Sequence, residues 1–251
     1  MQHHWEREQL LIAFKLYCEL PFGKLHSKNP EIIKYAEKIG RTPSALAMKL
    51  GNIASLDPVI TVSGRKGLSG ASKVDKEMWQ EMTSDWEVFS KQIIIAEEKL
   101  GLEQPKQELE EASYQGYTKQ VQIQARVGQA FFRKCVLSAY DYKCCISGLS
   151  VPQLLIASHI VPWNKDEHNR LNPHNGLCLS VLHDKAFDIG LISINSDYTV
   201  ATSPILKKYS DDSFLKAGIS GCENKPLLLP EKFQPDQTFL KYHRENIFVA
   251  A

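Results

Sequence analysis

The stretch of residues 154–190 holds the pattern that most restricts the fold of this chain. A short apolar run ending in His159 is followed by a polar loop, an Asn-Gly pair at Asn175 and a second apolar run. A segment with helical character then begins at His183. Strand, loop, strand and helix within so few residues predict a small β-hairpin backed by a helix, with His159, Asn175 and His183 at one end of it.

These three residues have the chemistry needed to hydrolyse a phosphodiester. A neutral imidazole at His159 can deprotonate water, because its surroundings can place its pKa near neutrality. Asn175 can hold the loop by hydrogen bonds, and His183 can ligate a metal ion that neutralises charge growing on the phosphate. A lone histidine is more often a hydrogen-bonded, partly buried side chain, and Asn-Gly alone is an ordinary hairpin turn. The combination is what indicates a site.

The segments that carry these residues resemble the HNH endonucleases, a family with a ββα-metal core. The similarity is strongest from about residue 124 to residue 202 and is closest to the HNH restriction endonucleases. The similar segments read SHIVPW at 158–163, NPHNGLCL at 172–179 and LHDKAFDIGL at 182–191, with RVGQAFFR at 126–133 and CISG at 145–148 before them.

The resemblance implies a role for each residue of the pattern. His159 corresponds to the general base, Asn175 to the orienting asparagine and His183 to a ligand of one divalent cation. That cation is usually Mg²⁺, with Mn²⁺ or another small divalent ion as an alternative. The implied activity is cleavage of DNA to a 5′-phosphate and a 3′-hydroxyl, in restriction of foreign DNA. Whether base modification is required stays open.

Two features differ from many relatives. Ser158 stands where those proteins have an aspartate that ligates the metal, and a serine hydroxyl is a weak ligand for a hard cation. Asp184 or Asp188 can substitute, with Asp188 predicted here beside His183, or water and DNA phosphate can complete the shell. The alternative function is a non-catalytic DNA-binding or regulatory protein with a decayed core. Paired CxxC motifs are missing, so no structural zinc is expected.

The first hundred residues predict a helical module. Prolines at Pro30 and Pro43 suit the first turns of two short helices, and Gly40 suits the end of the first. This arrangement is typical of a helix-turn-helix, in which Arg41 and Lys49 are candidate DNA contacts. A small helical packing domain is the alternative interpretation.

A second candidate DNA-binding surface lies on a helix predicted from about residue 121 to residue 140. Arg126, Gln129 and Arg133 share one stripe of this helix, which suits contacts with phosphate or is simply a solvated face. Further on, residues 191–201 predict a hairpin that extends the small sheet. A closing helix is predicted near the C-terminus, with His243 on its surface.

The charge distribution bears on the partner. The net charge of +1 combines 10 basic and 6 acidic residues in residues 1–68, 5 and 11 in 69–115, and 15 and 12 in 116–251. Two basic blocks therefore flank an acidic one, and the small total does not exclude DNA as a partner. We expect a chain lacking Met1–Leu68 to bind DNA more weakly.

These observations predict an α+β protein: a helical DNA-binding domain at 1–100, an acidic linker at 101–120 and a ββα-metal nuclease domain at 121–251. No apolar run is long enough to cross a bilayer and the first residues lack the features of a secretory signal. We therefore expect a cytoplasmic protein with six reduced cysteines and no membrane partner. A double-strand cut needs two sites or two sequential nicks, which makes a homodimer a candidate state.

Overall fold

The computed structural model describes residues 4–62, 64, 67–102 and 119–250, without the side chains of 119–126. Contacts divide the chain into two compact units, Met1–Lys134 and Cys135–Ala251. Most of the predicted linker lies outside the described residues. No helix of the described part is both long and apolar enough to span a membrane.

The N-terminal unit is helical. Its centre is α1, whose Phe14, Tyr17 and Cys18 are fully buried and which packs against α3 and α6. Phe14 meets Phe89 of α6 edge to face, with ring centroids 5.9 Å apart. The helices are α1 Arg7–Glu19, α2 Pro30–Lys38, α3 Pro43–Ala54, α4 Pro58–Val62, α5 Lys73–Ser84, α6 Trp86–Lys99 and α7 Lys119–Ala139, the last of which continues into the second unit.

Local sequence explains where α2 and α3 begin and end. The Asn29 side chain accepts from the backbone N–H of Glu31 at 2.9 Å, and the Thr42 hydroxyl accepts from that of Ala45 at 3.1 Å. Gly40 ends α2 with a φ of 67°, which glycine adopts without steric cost. The two predicted helices are therefore present, while their use as a DNA-binding helix-turn-helix is not confirmed.

The C-terminal unit contains a β-hairpin that runs directly into a helix. Strands β1 and β2 pair antiparallel, with Leu155 opposite Ser180 and His159 opposite Gly176. The Ser180 hydroxyl then accepts from the backbone N–H of His183 at 3.3 Å and caps α8. The elements are β1 Leu155–His159, β2 Gly176–Ser180, α8 Val181–Asp188, β3 Ile192–Ile194, β4 Val200–Thr202, α9 Ser213–Gly218 and α10 Gln237–Asn246.

The prediction that the second hairpin extends the first sheet is wrong. Strands β3 and β4 pair with each other, in register from Ile192 opposite Thr202 to Ile194 opposite Val200, and form a separate two-stranded sheet. Helix α8 packs against β1, β2 and β3. It therefore joins the two small sheets through side chains rather than through a backbone ladder.

Candidate active site

His159 ends β1 and lies on the wall of a cavity of about 340 Å³. Its Nε2 lies 2.9 Å from the backbone oxygen of Arg170, and since a carbonyl only accepts, this contact assigns the ring proton to Nε2. The lone pair of the neutral ring is then on Nδ1. Burial lowers the pKa of His159 below its ordinary value, against the opposing effects of the Arg170 carbonyl and of Asp184. The lowered pKa therefore favours the neutral form of the ring at pH 7.

Asn175 is fully buried and holds the loop that returns to β2. Its Oδ1 accepts from the backbone N–H of Val161 at 2.8 Å, and its Nδ2 donates to the carbonyl of Val161 at 3.2 Å and to that of Asn169 at 3.3 Å. The carbonyl of the next residue, Arg170, is the one that holds His159. Asn175 thus fixes both ends of the loop around the histidine.

Two carboxylates share the cavity wall with His159. Asp184 and Asp188 are one helical turn apart on α8, and both line the cavity. Burial raises the pKa of Asp184, partly offset by Ser158, His159 and Lys185. Burial, together with the charge of Asp184, also raises the pKa of Asp188. In the sequence, this pair is recognisable as two aspartates spaced four residues apart in the helix that contains His183.

Ser158 contributes an unusual polar atom to the same wall. Its side chain is buried, and its Oγ has no hydrogen-bond partner of good geometry among the described residues. The hydroxyl is nevertheless near enough to Asp184 to favour the ionised carboxyl. A buried hydroxyl whose hydrogen bond is poorly aligned loses free energy, which a bound ligand atom would recover.

The structure does not bring His183 to this cavity. The ring is buried, its Nε2 donates to the carbonyl of Gly218 at 2.7 Å, and its Nδ1 lies 2.8 Å from the Ser180 hydroxyl and 3.5 Å from Cys144 Sγ. Both nitrogens therefore contact protein atoms. The sequence predicted His183 as a metal ligand, whereas the structure places it in the first turn of α8 and outside the described cavity lining.

Cys144 and His183 form a coupled buried pair. Burial alone would raise the pKa of the Cys144 thiol, but hydrogen bonds from His183 and Ser147 outweigh it and lower the pKa to about 6. Burial likewise opposes the charged ring of His183, but the Cys144 sulfur and the Gly218 carbonyl outweigh that effect and raise its pKa. Both pKa shifts therefore depend on the contact between the Cys144 sulfur and the His183 ring.

The prediction of a surface position for His243 is wrong. The ring is 1% exposed and stacks on Phe187 with centroids 3.6 Å apart. Its Nε2 donates to the carbonyl of Phe187 at 3.0 Å, and its Nδ1 lies 2.8 Å from the Ser193 hydroxyl. His243 also lines the cavity. Nothing near it in sequence marks this position, since its partners are about 50 residues away.

The N-terminal candidates for DNA contact differ in their surroundings. Lys49 is buried, and its ammonium lies 2.9 Å from a carboxylate oxygen of the fully buried Asp75. This ion pair gives Lys49 an internal role instead of an exposed cation. Arg41 is half-buried, donates to Gln9 Oε1 at 2.7 Å and lies 4.8 Å from the centroid of the Trp5 ring.

The stripe on α7 is only partly described. Arg133 is exposed and Gln129 is half-buried, while the side chain of Arg126 lies outside the described residues. The exposure of Arg133 is compatible with a contact to phosphate, but does not distinguish that role from a solvated face.

The site thus consists of a β-hairpin that leads into a helix, with a histidine and two carboxylates on one cavity. Residues 144–195 match the sequence model of the HNH endonucleases, so the C-terminal region carries an HNH endonuclease domain and the resemblance is confirmed. Among solved structures, a modification-dependent TagI restriction endonuclease is similar at 20% identity and a TM-score of 0.35, covering 47% of this chain and 38% of that one. No curated protein matches the chain.

Proposed function

We propose that this chain is a metal-dependent DNA endonuclease whose general base is His159. The observation that carries the proposal is a half-buried imidazole with a lowered pKa, held through Nε2, on a cavity that is also lined by two carboxylates. The match to the HNH endonuclease family supports the reaction class.

His159 Nδ1 accepts a proton from water, and the resulting hydroxide attacks phosphorus. The bond between phosphorus and the 3′ oxygen breaks, which leaves a 5′-phosphate and, after protonation, a 3′-hydroxyl. The Arg170 carbonyl keeps the ring oriented, and the contacts of Asn175 keep that carbonyl in place. Because His159 is neutral before the reaction, it can take up the proton near pH 7.

The cavity fits a hard divalent cation held mainly by oxygen. Asp184, Asp188 and the Ser158 hydroxyl supply oxygen ligands. No group of three His, Cys, Asp or Glu side chains converges on a metal position in the described part of the chain. Mg²⁺ commonly uses one or two carboxylates, with water and substrate phosphate as the other ligands. When bound there, the cation neutralises charge on the phosphate and the departing oxygen.

We therefore propose that Asp184 and Asp188 ligate the metal ion and that His183 does not. His183 instead positions α8 by joining its first turn to Gly218 and Cys144. Asp184→Asn and Asp188→Asn should each raise the Mg²⁺ concentration needed for half-maximal cutting, by about tenfold or more. Asp197→Asn, at an exposed aspartate in the turn before β4, is the matched control and should leave that concentration unchanged.

The specific observation behind the rival function is Ser158 in place of an acidic ligand. A decayed core would bind DNA without cutting it. Nicking of supercoiled plasmid with Mg²⁺ or Mn²⁺ separates the two functions, with plain, methylated and hydroxymethylated DNA as substrates. We expect His159→Ala to reduce cutting at least about 100-fold. His168→Ala, at an exposed histidine of the same loop, should cut like the wild type. Absence of metal-dependent cutting on every substrate would refute the nuclease.

The biological role that we propose is restriction of foreign DNA in the cytoplasm. All six cysteines are buried free thiols, which is compatible with a reducing compartment. We propose that the helical domain at 1–100 selects the DNA and that the nuclease domain at 121–251 cuts it. Residues 101–120 connect the two domains. A homodimer would supply the second site for a double-strand break, and sedimentation of the chain on its target DNA tests that state.

A further inference from the structure

Arg170 lies beside Trp163, a residue of the cavity wall. Trp163 is half-buried, lines the cavity and meets His159 edge to face, with centroids 5.5 Å apart and planes at 86°. The guanidinium carbon of the half-buried Arg170 lies 5.2 Å from the centroid of the Trp163 ring. A cation is thereby placed next to an aromatic ring that itself touches the general base.

The loop that carries this pair is internally braced. Asp166 accepts from the backbone N–H of Asn169 at 3.2 Å and from its Nδ2 at 2.8 Å, and Asn172 Nδ2 donates to Asn169 Oδ1 at 3.0 Å. The Arg170 carbonyl is at the same time the acceptor that orients His159. These hydrogen bonds fix the backbone of Arg170 relative to His159. The Arg170 side chain therefore extends from a backbone position that is well defined.

Electrostatics give the guanidinium a function. The described lining of the cavity includes the carboxylates of Asp184 and Asp188 but no lysine or arginine. Because both carboxylates are assigned to the metal ion, the described lining offers no cationic side chain to a phosphate that neighbours the one being cut. Arginine suits such a contact because its planar fork can hydrogen-bond a phosphate while its face rests on an aromatic ring.

We propose that Arg170, supported by Trp163, binds a backbone phosphate of the DNA strand adjacent to the bond that is cut. The subsite recognises phosphate and carries no base specificity. It rests on the proposed function in that the ligand is the nuclease's own substrate. It deepens that function by naming a positioning contact outside the base and the metal ligands.

The test measures the affinity of the full-length protein for a DNA duplex as a function of KCl concentration, with EDTA present so that metal-dependent cutting cannot occur. Arg170→Ala should weaken binding about tenfold and lower the slope of log K against log salt by about one, the loss of one phosphate contact. Arg170→Lys keeps the charge and should keep the slope, with weaker binding. Lys207→Ala, at an exposed lysine outside the cavity lining, should change neither.

The outcomes separate this subsite from the nuclease. An unchanged slope and affinity for Arg170→Ala, in protein whose thermal melting matches its parent, would overturn the subsite even if the wild type cuts DNA. An equal effect of Lys207→Ala would overturn it too, because the loss would then be general charge. If the wild type never cuts but Arg170→Ala lowers the slope while Arg170→Lys does not, the subsite stands and the nuclease fails.

Discussion

At the scale of single residues, His243 shows how burial couples one side chain to pH. Burial lowers its pKa to about 4, and the neighbouring charge of Arg244 acts in the same direction against the Phe187 carbonyl. The unfolded chain has the ordinary value of about 6.5 and so binds more protons than the folded chain between those two values. The contribution of His243 to stability is complete above about pH 6.5 and declines as pH falls toward 4.

His243→Gln isolates this contribution. At pH 7 we expect a loss of about 2–4 kcal/mol in the free energy of unfolding, because the stack on Phe187 and the contact with Ser193 disappear. The gap between the two proteins should narrow by roughly 2 kcal/mol by about pH 4.5. Urea unfolding of both across this range measures it. The raised pKa values of Asp184 and Asp188 change stability in the opposite direction as pH falls. Wild type and His243→Gln share this effect, so it cancels from the difference between them. A constant gap would contradict the prediction.

His159 gives a second prediction at this scale, on activity. The base must be neutral, and burial holds the pKa of His159 below its ordinary value. The acid limb of kcat/KM should therefore lie below about pH 6.5, with cutting lost as pH falls through that limb. Saturating Mg²⁺ at each pH suppresses any loss from protonation of Asp184 and Asp188. An acid limb above pH 7 under those conditions would count against His159 as the base.

Among the secondary-structure elements, the end of α8 depends on one glycine. Gly190 has a φ of 73°, and a Cβ there would lie 2.1 Å from the backbone oxygen of Ile247, a residue of the cavity wall. Gly148 has nearly the same φ of 72°, but its Cβ would meet only Leu228 Cδ1 at 3.7 Å. An alanine at either position would have the same backbone strain. Only at Gly190 would its methyl group also overlap backbone atoms.

Gly148→Ala should therefore cost roughly 1–2 kcal/mol, the strain of a left-handed alanine. Gly190→Ala should cost at least about 2 kcal/mol more, because backbone must move to admit the methyl group. It should also reduce cutting, since Ile247 and α8 both form the cavity. Denaturant unfolding and plasmid nicking of both variants check this. Equal destabilisation would show that the contact with Ile247 can relax.

Much of this element order was predictable, because local sequence determines it. The apolar run before His159, the capping residues of α2 and the polar stripe of α7 each lie within a single element. The separate β3–β4 sheet and the burial of His243 depend on contacts between distant residues, such as His243 with Phe187. The sequence pattern of His159, Asn175 and His183 correctly placed His159 at the cavity. It did not predict that the His183 ring contacts Gly218 and Cys144 instead.

At the scale of the whole molecule, the two compact units change how the DNA-binding prediction is tested. Removing Met1–Leu68 would take α1, the buried centre of the N-terminal unit, away from α6, and α3 away from α5. Weaker binding after that deletion would report misfolding. A more informative truncation keeps residues 119–251, which include all of α7 and every helix and strand of the C-terminal unit.

The charge balance makes that truncation decisive. Residues 1–118 carry 15 basic and 17 acidic side chains, so their removal raises the net charge from +1 to +3. If net charge alone governed binding, the fragment would bind DNA more tightly. If the helical unit supplies specific contacts, as we propose, the opposite follows: about tenfold weaker binding and less selective cutting, with metal-dependent nicking retained. Circular dichroism confirms that the fragment is folded, and gel-shift titrations with sequenced cleavage sites measure both effects. A folded fragment that binds as tightly as the full chain, at the same sites, would remove the N-terminal unit from DNA selection.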